Sequence, residues 1–199
     1  MLKSKLGLIA AALLCCGCSQ AGSIEGQGPA DLSMPELIEV VFNHNDTSHY
    51  RSPLTGAWRN GDDLEGWLVA AIDAAKEEVL VAVQELSLPR IAQALIAAQQ
   101  RGVRVAVVLE DSYSNAWSEQ RPSRLNQRER RQWHQLNRLA DRDGDGTTSP
   151  EEAFSGDAVA LLRAARIELI DDTEDGSRGS GLMHHKFLVI DKATVITGS

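Results

Sequence analysis

The sequence predicts an α/β fold, in which a mixed sheet has helices on both faces. Three observations predict it. Helical and strand patterns alternate between residues 62 and 109, a further helix and strand follow at 157–170, and β-branched residues form a hairpin pattern at 187–197. Alternating strands and helices favour parallel strands joined by crossover helices, and a hairpin adds antiparallel strands to the same sheet.

The first part of the pattern runs from residue 36 to residue 83. Apolar and β-branched residues over 36–43 predict a first strand, and the polar stretch 45–61 predicts a loop. Apolar residues at three-four spacing predict a helix over 62–78. The short apolar run 79–83 predicts a buried strand.

The second part of the pattern repeats this alternation. A helix is predicted over 88–100, and Gly102 ends it before the apolar strand 103–109. After an interruption, a helix is predicted over 157–166 and a strand over 167–170. These elements place the predicted domain at residues 36–199.

Composition bounds the size and the partners of the chain. Its 199 residues, 43% of them hydrophobic, suffice for one globular domain and a tail. The net charge of -8 gives no overall attraction to nucleic acid or to anionic lipid, so such attraction has to be local. All three cysteines lie within the first eighteen residues, which excludes a disulfide or a cysteine metal site from the body.

The amino-terminal segment resembles a bacterial lipoprotein signal peptide over residues 1–18. Two lysines precede the apolar run 6–14, which is too short for a membrane span. The resemblance implies lipidation at Cys18, although Cys15 replaces the usual aliphatic residue; plain secretion is the alternative. The Gly-, Ser- and Gln-rich stretch 19–35 predicts a flexible tether. We therefore expect the domain in a bacterial cell envelope, anchored to the membrane or periplasmic.

The predicted hairpin carries a histidine and a lysine on one face. Side chains alternate along a strand, so His184 and Lys186 project to the same side, and His185 projects to the other. A neutral imidazole attacks phosphorus, and an ammonium group holds phosphate oxygens as charge develops. The alternative is a chance pair on a surface hairpin.

The spacing His-x-Lys-x4-Asp-x6-Gly-Ser extends this pair to five fixed positions. They are His184, Lys186, Asp191, Gly198 and Ser199. The spacing resembles the signature of the phospholipase D superfamily. The resemblance implies phosphodiester cleavage without a metal through a phosphohistidine, with His184 as nucleophile, Lys186 and Ser199 on the phosphate, and Asp191 supporting the catalytic site.

The family places two such motifs face to face, and this chain carries one. We therefore expect the second motif in a longer form of the chain or in the other subunit of a homodimer. We expect a phospholipase D that acts on phospholipid and releases phosphatidic acid, because an envelope address places the enzyme beside this substrate and the net charge of -8 disfavours a polyanion. A nuclease of the same superfamily, cutting DNA or RNA, is the alternative, and a non-catalytic calcium-dependent binding module is a third possibility.

An insertion over 112–156 interrupts the α/β pattern and contains a loop, 141–152, with oxygen-bearing residues at calcium-ligand spacing. Its predicted ligands are Asp141, Asp143, Asp145, Thr147, Ser149 and Glu152. Calcium needs several oxygen ligands, and Gly146 permits the sharp turn of an EF-hand loop, so we expect calcium in a structural or regulatory role. An acidic, solvated turn is the alternative.

Six arginines precede this loop and form a local basic strip. They are Arg121, Arg124, Arg128, Arg130, Arg131 and Arg138. Such a strip either approaches phosphate groups or is the solvated face of a helix balanced by the acidic loop.

Overall fold

The structure, a computed structural model, describes residues 37–53, 55–173, 176 and 181–198. The chain divides into two units, residues 1–40 and residues 41–199, and the second unit holds every helix and strand that follows. The predicted signal peptide, Cys18 and the tether 19–35 lie outside the described residues. Among the described helices, none has the length and apolarity needed to cross a membrane.

Seven strands and five helices make up the described fold. The strands are β1 (His49–Arg51), β2 (Trp58–Asn60), β3 (Glu78–Val83), β4 (Arg104–Leu109), β5 (Glu168–Asp171), β6 (Lys186–Ile190) and β7 (Thr194–Thr197). The helices are α1 (Leu64–Ala74), α2 (Pro89–Gln100), α3 (Gln127–Ala140), α4 (Pro150–Ser155) and α5 (Ala158–Ala164). The predicted alternation of helix and strand over 62–109 and 157–170 is therefore present, with shifted boundaries.

Five strands form one mixed sheet in the order β5-β4-β3-β6-β7. Strands β3, β4 and β5 are parallel, whereas β6 is antiparallel to β3 and to β7. In this register Lys186 is opposite Val83, Val83 is opposite Leu109, and Leu109 is opposite Asp171. The start of β6 therefore meets the carboxyl ends of the three parallel strands. The predicted mixed α/β sheet is confirmed.

The core lies between the sheet and helices α1, α2 and α5. Its fully buried side chains include Ile72, Leu95 and Leu162 from the three helices and Val79 and Val107 from the sheet. Each such side chain contributes about 1.5–3 kcal/mol relative to an exposed position. Leu188 and Ile190 of β6 also belong to this core, so the motif strand is held by packing along its length.

Helix α1 is shorter than the predicted 62–78 helix because distant residues end it. Asp63 caps its first turn by accepting a hydrogen bond from the Gly66 N–H at 3.0 Å. At the other end, the Arg101 guanidinium donates to the carbonyls of Ile72 and Asp73, both at 3.1 Å. Arg101 thus satisfies carbonyls that a longer helix would have used.

The predicted first strand over 36–43 is wrong for the described residues 37–43, which contain no strand. Both backbone groups of Phe42 bond to Asp62 instead: its N–H donates to the carboxylate and its carbonyl accepts from the Asp62 N–H, each at 2.8 Å. Because these groups are already paired with a loop residue, they do not join a sheet. The stretch 45–61, expected to be a loop, contains the small antiparallel pair β1 and β2.

The insertion consists of short 3-10 turns followed by α3 and α4. Asp157, the N-cap of α5, ties it to the core: its buried carboxylate accepts hydrogen bonds from the N–H and Oγ of Ser118 at 2.7 and 2.8 Å. It also accepts from the N–H groups of Val159 and Ala160. One carboxylate therefore joins a turn of the insertion to the start of a core helix.

Candidate active site at the start of strand β6

The structure brings His184 and Lys186 into contact. Lys186 Nζ lies 3.0 Å from His184 Nε2, and His184 is exposed. Lys186 is the first residue of β6, and Leu188 and Ile190, which alternate with it on the same face, are buried in the core. The lysine is thereby placed on a rigid element, and the exposed imidazole beside it is accessible to a substrate.

The end of β7 fixes the backbone at Lys186. The Lys186 carbonyl accepts hydrogen bonds from Thr197 Oγ1 at 3.1 Å and from the Gly198 N–H at 3.2 Å. The Gly198 position of the motif therefore lies beside the backbone of Lys186. Ser199, the predicted second phosphate ligand, lies outside the described residues.

Asp191 lies at the other end of β6, away from His184 and Lys186. It lies five positions after Lys186, which is about 16 Å along a strand. Its carboxylate accepts hydrogen bonds from the backbone N–H groups of Glu77, Glu78 and Lys76, at 2.7, 3.0 and 2.9 Å. These bonds, that of Glu77 foremost, lower the pKa of Asp191 below its ordinary value.

Asp191 is therefore placed as a structural residue away from His184 and Lys186, and its expected role of supporting the catalytic site stays a prediction. It also forms the β6-β7 turn: Asp191 and Lys192 have φ of 51° and 56°, and the Ala193 N–H donates to the Ile190 carbonyl at 3.0 Å. Two successive positive φ angles are typical of the type I′ turn, which Asp tolerates. Asp191 supports the site by fixing β6 against the segment that precedes β3.

A group of carboxylates at the carboxyl ends of the parallel strands was not predicted from the sequence. Glu110 and Asp111 follow β4, and Asp171 and Asp172 lie at the end of β5. From the spacing of strands, these ends are roughly 10–15 Å from β6. Glu110 is buried, and burial raises its pKa above the ordinary value. The two parallel strands beyond β3 thus end in carboxylates on the side of the sheet where β6 begins.

His185 lies beside the motif pair without joining it. Its backbone carbonyl accepts a hydrogen bond from the Gln84 N–H at 2.9 Å, and its ring packs edge-on against Phe187 with centroids 5.6 Å apart. The His185 ring therefore packs against Phe187, and its backbone joins β6 to the segment that follows β3.

In the loop 141–152, three aspartates converge as the predicted calcium ligands should. One carboxylate oxygen from each of Asp141, Asp143 and Asp145 lies within 4.8 Å of the others. Gly146 has φ of 88°, which is the left-handed conformation that glycine supplies at the turn. This set of hard oxygen donors fits calcium.

Glu152, the predicted twelfth-position ligand, is turned to the loop backbone. One carboxylate oxygen accepts from the Ser149 N–H at 3.0 Å, and the other accepts from the Arg142 N–H at 2.8 Å. These bonds, that of Ser149 foremost, lower the pKa of Glu152 to about 2. Thr147 donates its N–H and hydroxyl to Asp145, and Ser149 is the N-cap of α4. Of the six predicted ligands, the structure therefore clusters three.

Part of the basic strip holds the insertion together. The Arg130 guanidinium donates to the carbonyls of Pro122 and Leu125, each at 3.0 Å, and Arg128 donates to the Tyr113 hydroxyl at 3.4 Å. The exposed members include Arg121, Arg124, Arg131 and Arg138. Arg130 is thus a structural residue, and the strip is a weaker candidate for a phosphate-binding surface than its six arginines indicate.

Comparison with known proteins identifies the family. The family model described as "Cardiolipin synthase, PLD-like domain" matches residues 68–199. Mitochondrial cardiolipin hydrolase of Homo sapiens is 26% identical over 140 residues, covering 70% of this chain and 38% of that protein. The Mus musculus protein of that name is 26% identical over 132 residues, covering 66% of this chain and 40% of the relative.

The chain spans about two fifths of the length of these relatives. A crystal structure of the phospholipase D family member Nuc from Salmonella typhimurium is 22% identical, with a TM-score of 0.36, and the match covers 67% of this chain and 60% of that one. The family match includes all of the described motif, from His184 to Gly198, and the mixed sheet that positions it. The chain therefore belongs to the phospholipase D superfamily.

Proposed function

We propose that this chain is a phosphodiester hydrolase that acts through a phosphohistidine. The 3.0 Å contact between His184 Nε2 and Lys186 Nζ is the observation that supports this most. In the first step His184 Nε2 bonds to phosphorus, and the bond from phosphorus to the leaving alcohol breaks. Lys186 moves from the imidazole to the phosphate oxygens and stabilises the charge that develops there.

The second step releases the enzyme. Water attacks phosphorus, the bond from phosphorus to His184 breaks, and the neutral imidazole returns. The leaving alcohol needs a proton in the first step, and a second histidine of the same motif type supplies it in this proposal. The same histidine takes a proton from the attacking water in the second step. That histidine belongs to a second half of a longer chain or to the other subunit of a homodimer. Neither step requires a metal.

We propose phospholipid as the substrate, with phosphatidic acid as the released product. The carboxylates at the carboxyl ends of β4 and β5 support this, because they oppose the approach of a polyanion such as DNA to that end of the sheet. Two of the named relatives are mitochondrial cardiolipin hydrolases, which also favours lipid. A lipid anchor at Cys18 would place the enzyme in the cell envelope beside this substrate.

A nuclease is the second candidate, and the exposed arginines of the strip favour it. The test is a parallel digestion of phospholipid vesicles and single-stranded DNA by the full chain at low and moderate salt. Phosphatidic acid release with intact DNA supports phospholipid. DNA cleavage that weakens with salt and is lost in Arg124→Gln/Arg131→Gln contradicts it. Arg130 is left unchanged, since its loss would disturb the insertion.

We also propose that Asp141, Asp143 and Asp145 bind calcium, with Glu152 joining them after it leaves the loop backbone. The convergence of the three carboxylates supports this. Calcium binding should stabilise the folded chain, so its melting temperature should rise as the calcium concentration increases. Calorimetric titration of the wild type and Asp143→Asn tests it, and identical titrations of the two proteins would contradict it. Activity in a chelator should persist, because the calcium loop lies in the insertion and the proposed chemistry uses His184 and Lys186.

A further inference from the structure

A cavity of about 410 Å³ lies between α3 and the segment that follows β3. This volume is in the range of small-molecule pockets. Its apolar lining includes Leu86, Leu125, Trp133, Leu136 and Leu182. The first four are half-buried and Leu182 is 54% exposed, so these side chains retain apolar surface that the fold leaves uncovered.

The cavity and the proposed phosphate site share chain segments. Leu182 precedes His184 by two residues, and Glu85, also in the lining, follows Val83, which is paired with Lys186. The Gln84 N–H, next to Glu85, donates to the His185 carbonyl at 2.9 Å. A substrate whose phosphate lies against Lys186 therefore has its adjoining groups near the cavity wall.

Most charged groups in the lining are engaged within the chain. The Asp157 carboxylate is occupied by backbone and hydroxyl donors, and Glu129 accepts from the Asn126 N–H at 2.9 Å in the capping box of α3. Glu85 accepts from Gln132 Nε2 at 2.7 Å. Since these charged groups already have partners, the apolar side chains of the lining provide binding capacity that the chain itself does not use.

Trp117 differs from these polar groups of the lining. It is 7% exposed, and its Nε1 has no hydrogen-bond partner among the residues that the structure describes. The neighbouring Trp133 Nε1, in contrast, donates to the Trp117 carbonyl at 3.0 Å. A buried donor without an acceptor costs free energy. Because this Nε1 atom is enclosed by the protein, the surface that a ligand in the cavity can reach is formed by the other lining side chains.

We propose that this cavity binds an acyl chain of a phospholipid while His184 and Lys186 act on its phosphodiester. The proposal rests on the phosphodiesterase function proposed above and adds the part of the substrate that the insertion recognises. Among the described residues of the lining, three carboxylates, Glu85, Glu129 and Asp157, accompany one cation, Arg128, so the wall disfavours a nucleic-acid strand.

The test places a larger side chain in the cavity by a substitution on α3. Leu136→Trp adds bulk inside it, whereas Leu139→Trp adds the same bulk on the same helix at a residue that is 45% exposed and outside the lining. Turnover is measured on a long-chain phospholipid in detergent micelles and on bis(4-nitrophenyl) phosphate, which has no acyl chain. Leu136→Trp should lower kcat/KM for the lipid by about tenfold or more and leave the small diester nearly unchanged. Leu139→Trp should change neither.

A binding measurement separates this inference from the catalytic proposal. A fluorescent fatty acid is titrated into His184→Ala protein with and without Leu136→Trp, so the readout does not depend on turnover. The added tryptophan should weaken binding by about tenfold. Leu125→Trp, on another wall, provides a second variant if Leu136→Trp does not fold. Fatty-acid binding should persist even if the wild type cleaves no phosphodiester, an outcome that would overturn only the catalytic proposal.

Three outcomes would overturn the acyl-chain site. The first is fatty-acid binding that is absent, or that is unchanged by a folded cavity-filling variant. The second is an equal loss of turnover on the lipid and on the small diester. It would show that the lining residues support the fold and do not bind the acyl chain. The third is cleavage of single-stranded DNA that Leu136→Trp impairs while lipid turnover stays constant, which would assign the cavity to a nucleic acid.

Discussion

Lys186 and Asp191 lie at opposite ends of strand β6, although both are fixed positions of one motif. Lys186 contacts His184, whereas Asp191 binds three backbone N–H groups before β3. The motif therefore combines a chemical pair with a structural anchor, and the two parts should respond differently to mutation.

Asp191→Ala should mainly lower the stability of the fold and should have only a small effect on kcat. Removing the carboxylate leaves the N–H groups of Lys76, Glu77 and Glu78 without their acceptor, so the urea midpoint should fall. The kcat of the folded fraction should change by less than about tenfold. A variant with wild-type stability and abolished turnover would show that Asp191 has a direct catalytic role.

Lys186→Ala should reduce kcat by about 10²–10³-fold because the ammonium stabilises charge on the phosphate oxygens. Lys186→Arg should recover only part of the activity, since a planar guanidinium replaces a compact ammonium on a rigid strand. Steady-state turnover of bis(4-nitrophenyl) phosphate measures both variants. Lys192→Ala, in the turn after Asp191, is the matched control; an equal effect there would indicate a nonspecific role of charge.

Glu152 should make the stability of the insertion pH-dependent. Its pKa is lowered to about 2 in the folded chain, so its contribution is present above the ordinary value near 4.5 and is lost as the pH falls towards 2. Glu152→Gln should be less stable than the wild type at pH 6, and this difference should shrink at pH 3. Urea titrations at both pH values test this, with Glu151→Gln as the control. An equal difference at both pH values would contradict the assignment.

Asp157→Ala should destabilise the chain by about 2–4 kcal/mol, because it removes a helix cap and leaves buried donors of Ser118, Val159 and Ala160 unpaired. The insertion should loosen at the same time, which the fluorescence of Trp117 and Trp133 would report. Asp157→Asn keeps one acceptor oxygen and should lose less. A change below about 0.5 kcal/mol, as for an ordinary surface position, would contradict this account.

The sequence predicted the parts of the fold that depend on local pattern. The patterns over 62–109 identified α1, β3, α2 and β4, because burial of one helix face leaves a three-four spacing and burial of a whole strand leaves a continuous apolar run. The same pattern failed at 37–43, where Leu37 and Phe42 are 98% and 58% exposed. Alternation predicts a strand only where a partner strand exists, and that partner cannot be read from the pattern.

The candidate site was predictable only in part. His184 and Lys186 are two positions apart, which was enough to place them together, because side chains two positions apart on a strand project to the same face. The distance of Asp191 from that pair depends on the length of β6, and its bonds join residues 113–115 positions apart in the sequence. The carboxylates at the ends of β4 and β5 and the cavity beside α3 likewise come from segments that only the folded topology brings together.

The most direct test of the proposed mechanism is to locate the covalent intermediate. The full chain is mixed with bis(4-nitrophenyl) phosphate and quenched in alkali, where a phosphohistidine survives, and the modified peptide is mapped by mass spectrometry. The proposal predicts an adduct on His184 that disappears in His184→Ala, with a loss of turnover of at least about 10³-fold, and that persists in His185→Ala. Turnover without an adduct, an adduct on His185, or a tenth of wild-type activity in His184→Ala would contradict it.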